Sequence, residues 1–198
     1  DLGDPPRHPV GDAPPYEGAD QLAGDLETIH DSLVDNGLAD LAEGRLRDLR
    51  RAVDCFGFHL TSLDMRQNSS VHERVITELF HVIDGDIDYA RLSEEQRVDV
   101  LVAELGSARS LLRTGWVYTE ESREELDILQ AAAEARMALG ERAITTSIIS
   151  NTRSVSDILE LAVLLKQVNL VTPDGDCALQ IVPLFETIAD LRNCLDIM

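Results

Sequence analysis

Lysine is almost missing from this chain. Lys166 is the one lysine among 198 residues, and with sixteen arginines it faces 37 acidic side chains, for a formal charge of −20. A protein that neutralises nucleic-acid phosphates needs a surplus of Lys and Arg, so nucleic-acid binding by net charge is excluded. Attraction to an anionic membrane surface fails for the same reason. Long apolar runs are missing too, and no stretch approaches the roughly 18 residues of a membrane span. Cysteine is scarce and odd in number: Cys55, Cys177 and Cys194 form no CxxC pair. That usage predicts free thiols in a reducing compartment, and hence a cytoplasmic location. The opening DLGDPPRHPVGDAPP has no charged-then-apolar leader pattern, so the glycosylation sequon at Asn68-Ser69-Ser70 carries little weight.

What is present is enough for a core. Hydrophobic residues make up 44% of the chain, with Leu, Ile and Val recurring throughout, which sets it apart from an acidic disordered tail. The length suits one domain. Residues 1–16 hold five of the seven prolines and read as a linker, leaving 17–198 as the folded part.

Helical periodicity dominates that part. A helix pair is predicted over 18–35 and 38–56, joined by a turn at Asn36-Gly37, with Leu38, Leu41, Leu46, Leu49, Val53 and Phe56 on one face. Further helices fall within 71–139. The stripe Val98, Leu101, Val102, Leu105 and Leu112 marks 94–112, and Leu126, Leu129, Ala133 and Met137 mark 122–139. Ser93-Glu94-Glu95-Gln96 and Ser122-Arg123-Glu124-Glu125 have the form of capping boxes. Three short segments, 58–65, 144–150 and 179–185, are rich in β-branched or aromatic residues and read as buried strands. Each runs into a polar tip and then a capped helix, beginning near Ser70, at 155–169 and at 188–198. The fold class is therefore mostly α-helical α/β, with about three short parallel strands and long helices.

In parallel α/β folds the carboxyl ends of the strands share one face, where ligands bind. Arg66 and Glu186 are then expected at a common mouth. A guanidinium and a carboxylate beside helix N-termini suit a phosphorylated ligand with a divalent metal. The plainer alternative makes both of them structural ions that close their strands.

The same segments carry a resemblance. FGFHLTSLDMRQNSSVHERVITELF resembles the phosphoenolpyruvate carboxylase stretch around LDIRQ, and SIISNTRSVSDILELAVLLKQVNL resembles the family's ISM-x-x-x-x-SD segment. QIVPLFETIADLRNCLDIM is similar to its PLFET-x-x-DL-x-x-A-x-x-VM motif, and DSLVDNGLADLAEGRLRDL to the helix pair before LDIRQ. The four stand in the family's order. The resemblance implies a partial (β/α)8 barrel over 17–198 of an enzyme that joins bicarbonate to phosphoenolpyruvate, giving oxaloacetate and phosphate (anaplerotic carbon fixation). It implies Mg²⁺ or Mn²⁺ as cofactor and a homotetramer as the full-length assembly. Glu186 of PLFET matches a family metal ligand, and Arg66 of LDMRQ matches an arginine of the substrate and phosphate site with a catalytic part. Arg153 stays a candidate only.

Several family features are not matched. None of His8, His30, His59, His72 or His81 has the surroundings of the family's catalytic histidine, and the second metal carboxylate and the Gly-rich GRGG loop find no counterpart. A middle fragment of a longer enzyme, inactive alone, is expected.

Other patterns are set aside. His72-Glu73-Arg74-Val75 opens like HExxH, but Ile76 replaces the second ligand, and His72 reads as a polar residue of a first helical turn. Asp84, Asp86, Asp88 and Glu95 imitate an EF-hand, yet Tyr89 stands where the loop needs Gly. Trp116 and Tyr118 read as packing, and Arg45, Arg47, Arg50 and Arg51 as a salt-bridged exposed helix face beside Asp48 and Asp54. Two rival functions stay open: a helical scaffold module, and another metal-dependent barrel acting on phosphoenolpyruvate or pyruvate. A scaffold has no reason to bring Arg66 and Glu186 together.

Overall fold

A computed structural model describes residues 14–59, 61–85 and 87–198. Most of the expected linker lies outside them. The stretch expected as one folded part forms two compact units, divided between Leu60 and Thr61.

The first unit is helical. Helix α1 (Ala19–Asp35) ends at Asn36, and Gly37 follows at φ 75°, a left-handed turn position that suits glycine. The single helix expected over 38–56 is broken. Helix α2 (Ala39–Leu41) passes through a π-helical segment, Ala42–Leu46, into α3 (Arg47–Phe56). The break falls at Gly44, whose ψ of −128° is not helical, so the 3.6-residue repeat is interrupted. The predicted apolar stripe is accordingly not continuous: Val53 is buried, while Leu38, Leu41, Leu49 and Phe56 are exposed within this chain.

The second unit holds a three-stranded parallel sheet in the order β1-β2-β3, with β1 Leu63–Asn68, β2 Ile144–Ser150 and β3 Gln180–Pro183. Strand β2 covers the expected residues. The first strand does not, and the boundaries 58–65 are corrected to Leu63–Asn68. Gly57 caps α3 at φ 54°, its N–H donating to Val53 O, and His59 N turns back to Phe56 O. Phe58 and His59 therefore follow a helix end, and the polar run LDMRQN makes the ladder with β2. Arg66 consequently lies inside the strand rather than just past it.

Helix α4 (Ser69–Ile83) is capped by Asn68, not by the Ser70 box, with Asn68 Oδ1 accepting from Ser70 N at 3.0 Å. Tyr89–Arg91 forms one 3-10 turn, and α5 (Glu94–Leu105) begins with the expected Ser93–Gln96 box. It stops at Gly106, short of 112, and it buries Leu101 and Glu104 while Val102 stays exposed. Helix α6 (Glu120–Leu139) starts two residues ahead of the expected box, with Thr119 as cap, and Ser122 and Glu125 are buried in its first turns. A 3-10 turn, Glu141–Ala143, leads into β2. Helix α7 (Val155–Gln167) follows β2, and α8 (Ile188–Ile197) follows β3 with a Thr187–Asp190 capping box.

The core lies between the sheet and α4, α5, α6 and α7. Ile76, Leu79 and Phe80 meet Leu101, Leu129, Ile149, Leu161, Leu164 and Leu165, all essentially inaccessible. Helix α7 is apolar around most of its circumference because α4, α5 and β3 all pack on it. Burial at this density makes a truncation such as Leu164→Ala cost about 2–5 kcal/mol. Among the described residues no helix is long and apolar enough to cross a membrane.

Candidate functional site

Parallel register brings three chain segments to one end of the sheet. Arg66 pairs with Ile148, Asn68 with Ser150, and Ile149 with Pro183. Leu184 N donates to Ile149 O and Thr152 N to Leu184 O, so the chain after β3 stays stitched to the end of β2. Those bonds carry Glu186 over the tip of β2. Ser69 Oγ donates to Asn151 O and Ser150 Oγ to Gln67 O, which ties that tip to the start of α4.

Arg66 and Glu186, 120 positions apart, meet there: Arg66 Nη2 lies 3.5 Å from Glu186 Oε1. Their side chains are 57% and 39% exposed, so the pair is a weak, solvent-screened contact, open to exchange for a ligand. Asn151 N donates to the other oxygen, Glu186 Oε2, at 2.8 Å. Asn151 has φ 57°, a left-handed conformation that Asn tolerates better than most residues and that turns its N–H toward the carboxylate. Asn151 was not singled out from sequence, though an Asn at a strand tip was the available signal. Arg153 is exposed two residues on, and its backbone N–H donates to Asp157 at the start of α7. Neither Asp64 nor Glu73 holds Arg66. Glu73 pairs instead with Arg97 at 2.6 Å.

A carboxylate is a hard oxygen donor, and Glu186, with one oxygen fixed by a backbone N–H, fits a role as one ligand of a divalent cation. Behind the strand tip lies a second polar group, made of His72, expected only as a polar residue of a first helical turn, and Glu125, expected only in a capping box. His72 of α4 and Glu125 of α6, 1% and 4% exposed, stand 3.5 Å apart, and Gln67 Nε2 donates to Glu125 Oε2 at 2.8 Å. Burial pushes the Glu125 carboxyl up, but the bonds from His72 and Gln67 outweigh it and leave the group below its ordinary range. His72 is thus a core residue rather than a merely polar one. Its spacing to Val75, Ile76 and Leu79 placed it on the buried stripe.

The remaining candidates lie elsewhere. Tyr118 packs on the core, and its hydroxyl accepts from Arg113 N, whereas Trp116 is 45% exposed with the Arg113 guanidinium 5.8 Å from its ring centre. Arg47 pairs with Glu43 and with Asp48, as expected, and Arg50 with Glu27, giving a salt-bridged face. On α1, exposed Glu27 and Asp31 cluster with half-buried His30 at i, i+4 and i+3, with His30 Nδ1 3.0 Å from Asp31. In the EF-hand look-alike, Tyr89 is fully buried and Glu95 lies in the first turn of α5.

Known proteins are similar to this sequence. The family model for phosphoenolpyruvate carboxylase matches residues 4–198. The phosphoenolpyruvate carboxylase of Rhodopseudomonas palustris (strain ATCC BAA-98 / CGA009) is 51% identical over 192 residues, which is 97% of this chain and 20% of that protein. That of Bradyrhizobium diazoefficiens is 50% identical over 192 residues, 97% of this chain and 21% of its own length. The protein of the same name from Azoarcus sp. (strain BH72) is 50% identical over 199 residues, covering all of this chain and 22% of its own. The chain spans about a fifth of the length of these relatives. With the family model covering nearly every residue, and Arg66 and Glu186 joined at one end of a parallel sheet, the chain belongs to the phosphoenolpyruvate carboxylase family.

Proposed function

We propose that this chain supplies part of the active site of an enzyme that carboxylates phosphoenolpyruvate with bicarbonate, releasing oxaloacetate and phosphate. The observation that carries this reading is the 3.5 Å approach of Arg66 to Glu186 across 120 positions, in a chain of this family. A scaffold module gives no reason for that approach. The three parallel strands are taken as part of a (β/α)8 barrel whose other strands, catalytic histidine, second carboxylate and Gly-rich loop come from the rest of a protein about five times longer. The whole enzyme is taken to be a cytoplasmic homotetramer.

In this reading Arg66 binds the phosphoryl group. Its planar fork engages two oxygens at once and spreads the charge that builds as the group transfers. The Glu186 contact holds the fork at the mouth until the substrate's phosphate replaces it. Glu186, released from Arg66 and still fixed by Asn151 N–H, is then a ligand for Mg²⁺ or Mn²⁺. The bound cation supplies positive charge to substrate oxygens.

The test is Glu186→Gln in the full-length enzyme, read by coupling oxaloacetate to malate dehydrogenase during a Mn²⁺ titration. Half-saturation is expected to move up by roughly tenfold or more. Superimposable titrations for the two enzymes would remove Glu186 from the metal site.

A further inference from the structure

Arg66 has little on its own side to hold it: one exposed partner at 3.5 Å. The next residue is different. Successive side chains of a strand point to opposite faces, so Gln67 faces the helices. Its Nε2 donates to buried Glu125 at 2.8 Å, and its Oε1 accepts from Asn68 N at 2.8 Å. Glu125 in turn meets His72 at 3.5 Å. A polar chain thus runs from α4 through α6 to the residue after Arg66. A cavity of about 90 Å³ lies here, with Arg66, Gln67, His72 and Glu125 on its wall beside the apolar Met65 and Ile128, so packing alone leaves the 66–67 segment room to move.

A buried carboxylate is costly to keep. An apolar residue of similar size at such a site commonly leaves a fold as stable or more so. A charged group buried beneath a strand tip, next to a cavity, points to a need for defined geometry. We propose that His72 and Glu125 are positioning residues for Arg66: through Gln67 they fix the backbone at 66–67 and so set the direction in which the guanidinium is presented. This rests on the assignment of Arg66 to the phosphoryl group. The pair acts on the substrate only through Arg66.

The test is a double-mutant cycle in the full-length enzyme, with kcat and KM for phosphoenolpyruvate and the thermal midpoint measured on each preparation. Glu125→Gln is expected to lower kcat/KM by roughly tenfold to a hundredfold. Combined with Arg66→Lys, it should cost less than about threefold beyond Arg66→Lys alone, because both remove the same contact. His72→Gln, which keeps a donor for Glu125, should retain more activity than His72→Leu. The His72 pair carries the test if Glu125→Gln does not fold. A lower thermal midpoint with unchanged kcat/KM makes the network purely structural and overturns the proposal, as does full additivity with Arg66→Lys. If Arg66→Lys is impaired while the His72 and Glu125 variants are normal, only the positioning role fails. If Arg66→Lys is itself normal, the assignment of Arg66 fails and the positioning role with it.

Discussion

Glu160, on the buried side of α7, should make this fold lose stability as pH rises. Its side chain is wholly inaccessible. Oε1 accepts from the Tyr89 hydroxyl at 2.8 Å, Arg97 comes no closer than 4.0 Å, and Oε2 has no partner among the described residues. Arg97 is meanwhile committed to Glu73 and to the Tyr89 ring, whose centre lies 5.1 Å from its guanidinium and which also stacks with Phe80. Burial is the main reason the Glu160 carboxyl is pushed up to about 8. The Tyr89 bond works against that, the charges of Asp157 and Glu73 add to it, and Arg97 opposes it. Folded protein therefore keeps the proton up to about pH 8, whereas the unfolded chain releases it near 4.5. The folded state binds more protons between those values, so its stability falls through that window and levels off above it. Each tenfold in proton affinity is worth about 1.4 kcal/mol, so the whole loss is on the order of 5 kcal/mol, comparable to the stability of a domain. Glu160→Gln keeps an oxygen for Tyr89 and removes the titration. Urea melts of the two chains at pH 5, 7 and 9, followed by circular dichroism, should show the variant gaining little at pH 5 and several kcal/mol by pH 9. A constant difference across that range would mean that Glu160 ionises freely in the fold and that the burial argument is wrong.

Two other outcomes follow from the same reading of charge and geometry. In the full-length enzyme, Arg66→Lys should lower kcat/KM roughly tenfold to a thousandfold, because an ammonium cannot reproduce the two-oxygen fork. Its thermal midpoint should hardly move, since Arg66 is more than half exposed, and an early melt with normal kcat/KM would make it a structural ion. Lys166→Met should destabilise the chain by about 3–5 kcal/mol in urea melts at pH 7, because it strips buried Glu104 of the ammonium at 2.8 Å and leaves only Arg109 to answer the charge. A loss under about 1 kcal/mol would show that Arg109 alone suffices.

Much of this was legible from residue patterns. The strand at 144–150 is rich in β-branched residues and is the central, doubly paired strand, so propensity and burial agree there. The meeting of Arg66 with Glu186 followed from the rule that parallel strand ends share a face. The first strand was misplaced because burial was used as its signal. It lies at the sheet's edge in this chain and is half exposed, and Phe58, expected to begin it, follows the end of α3 instead. Stripe reasoning also failed wherever a charge is buried. It assigned Val102 to the core face of α5, while Glu104 occupies that face because Lys166 and Arg109 neutralise it from distant positions. His72 and Glu125 were overlooked for the same cause. His72 reads only as a polar residue of a first helical turn and Glu125 only as part of a capping box, because the partner that compensates the burial of each lies on a distant helix.

The sole lysine has a practical consequence. Lys166 sits near the end of α7 with its ammonium donating to Glu104 Oε1, Glu104 O and Ser107 O. A protease that cuts only after lysine has one target peptide bond in these 198 residues, and that bond lies in a helix packed on three sides. Such enzymes need several residues in extended form, so α7 must leave the core before the chain can be cleaved. Digestion would yield two pieces, split after residue 166, at a rate set by how often this part of the molecule opens. The protein thus carries its own single-site clock for unfolding, readable on a gel without any label.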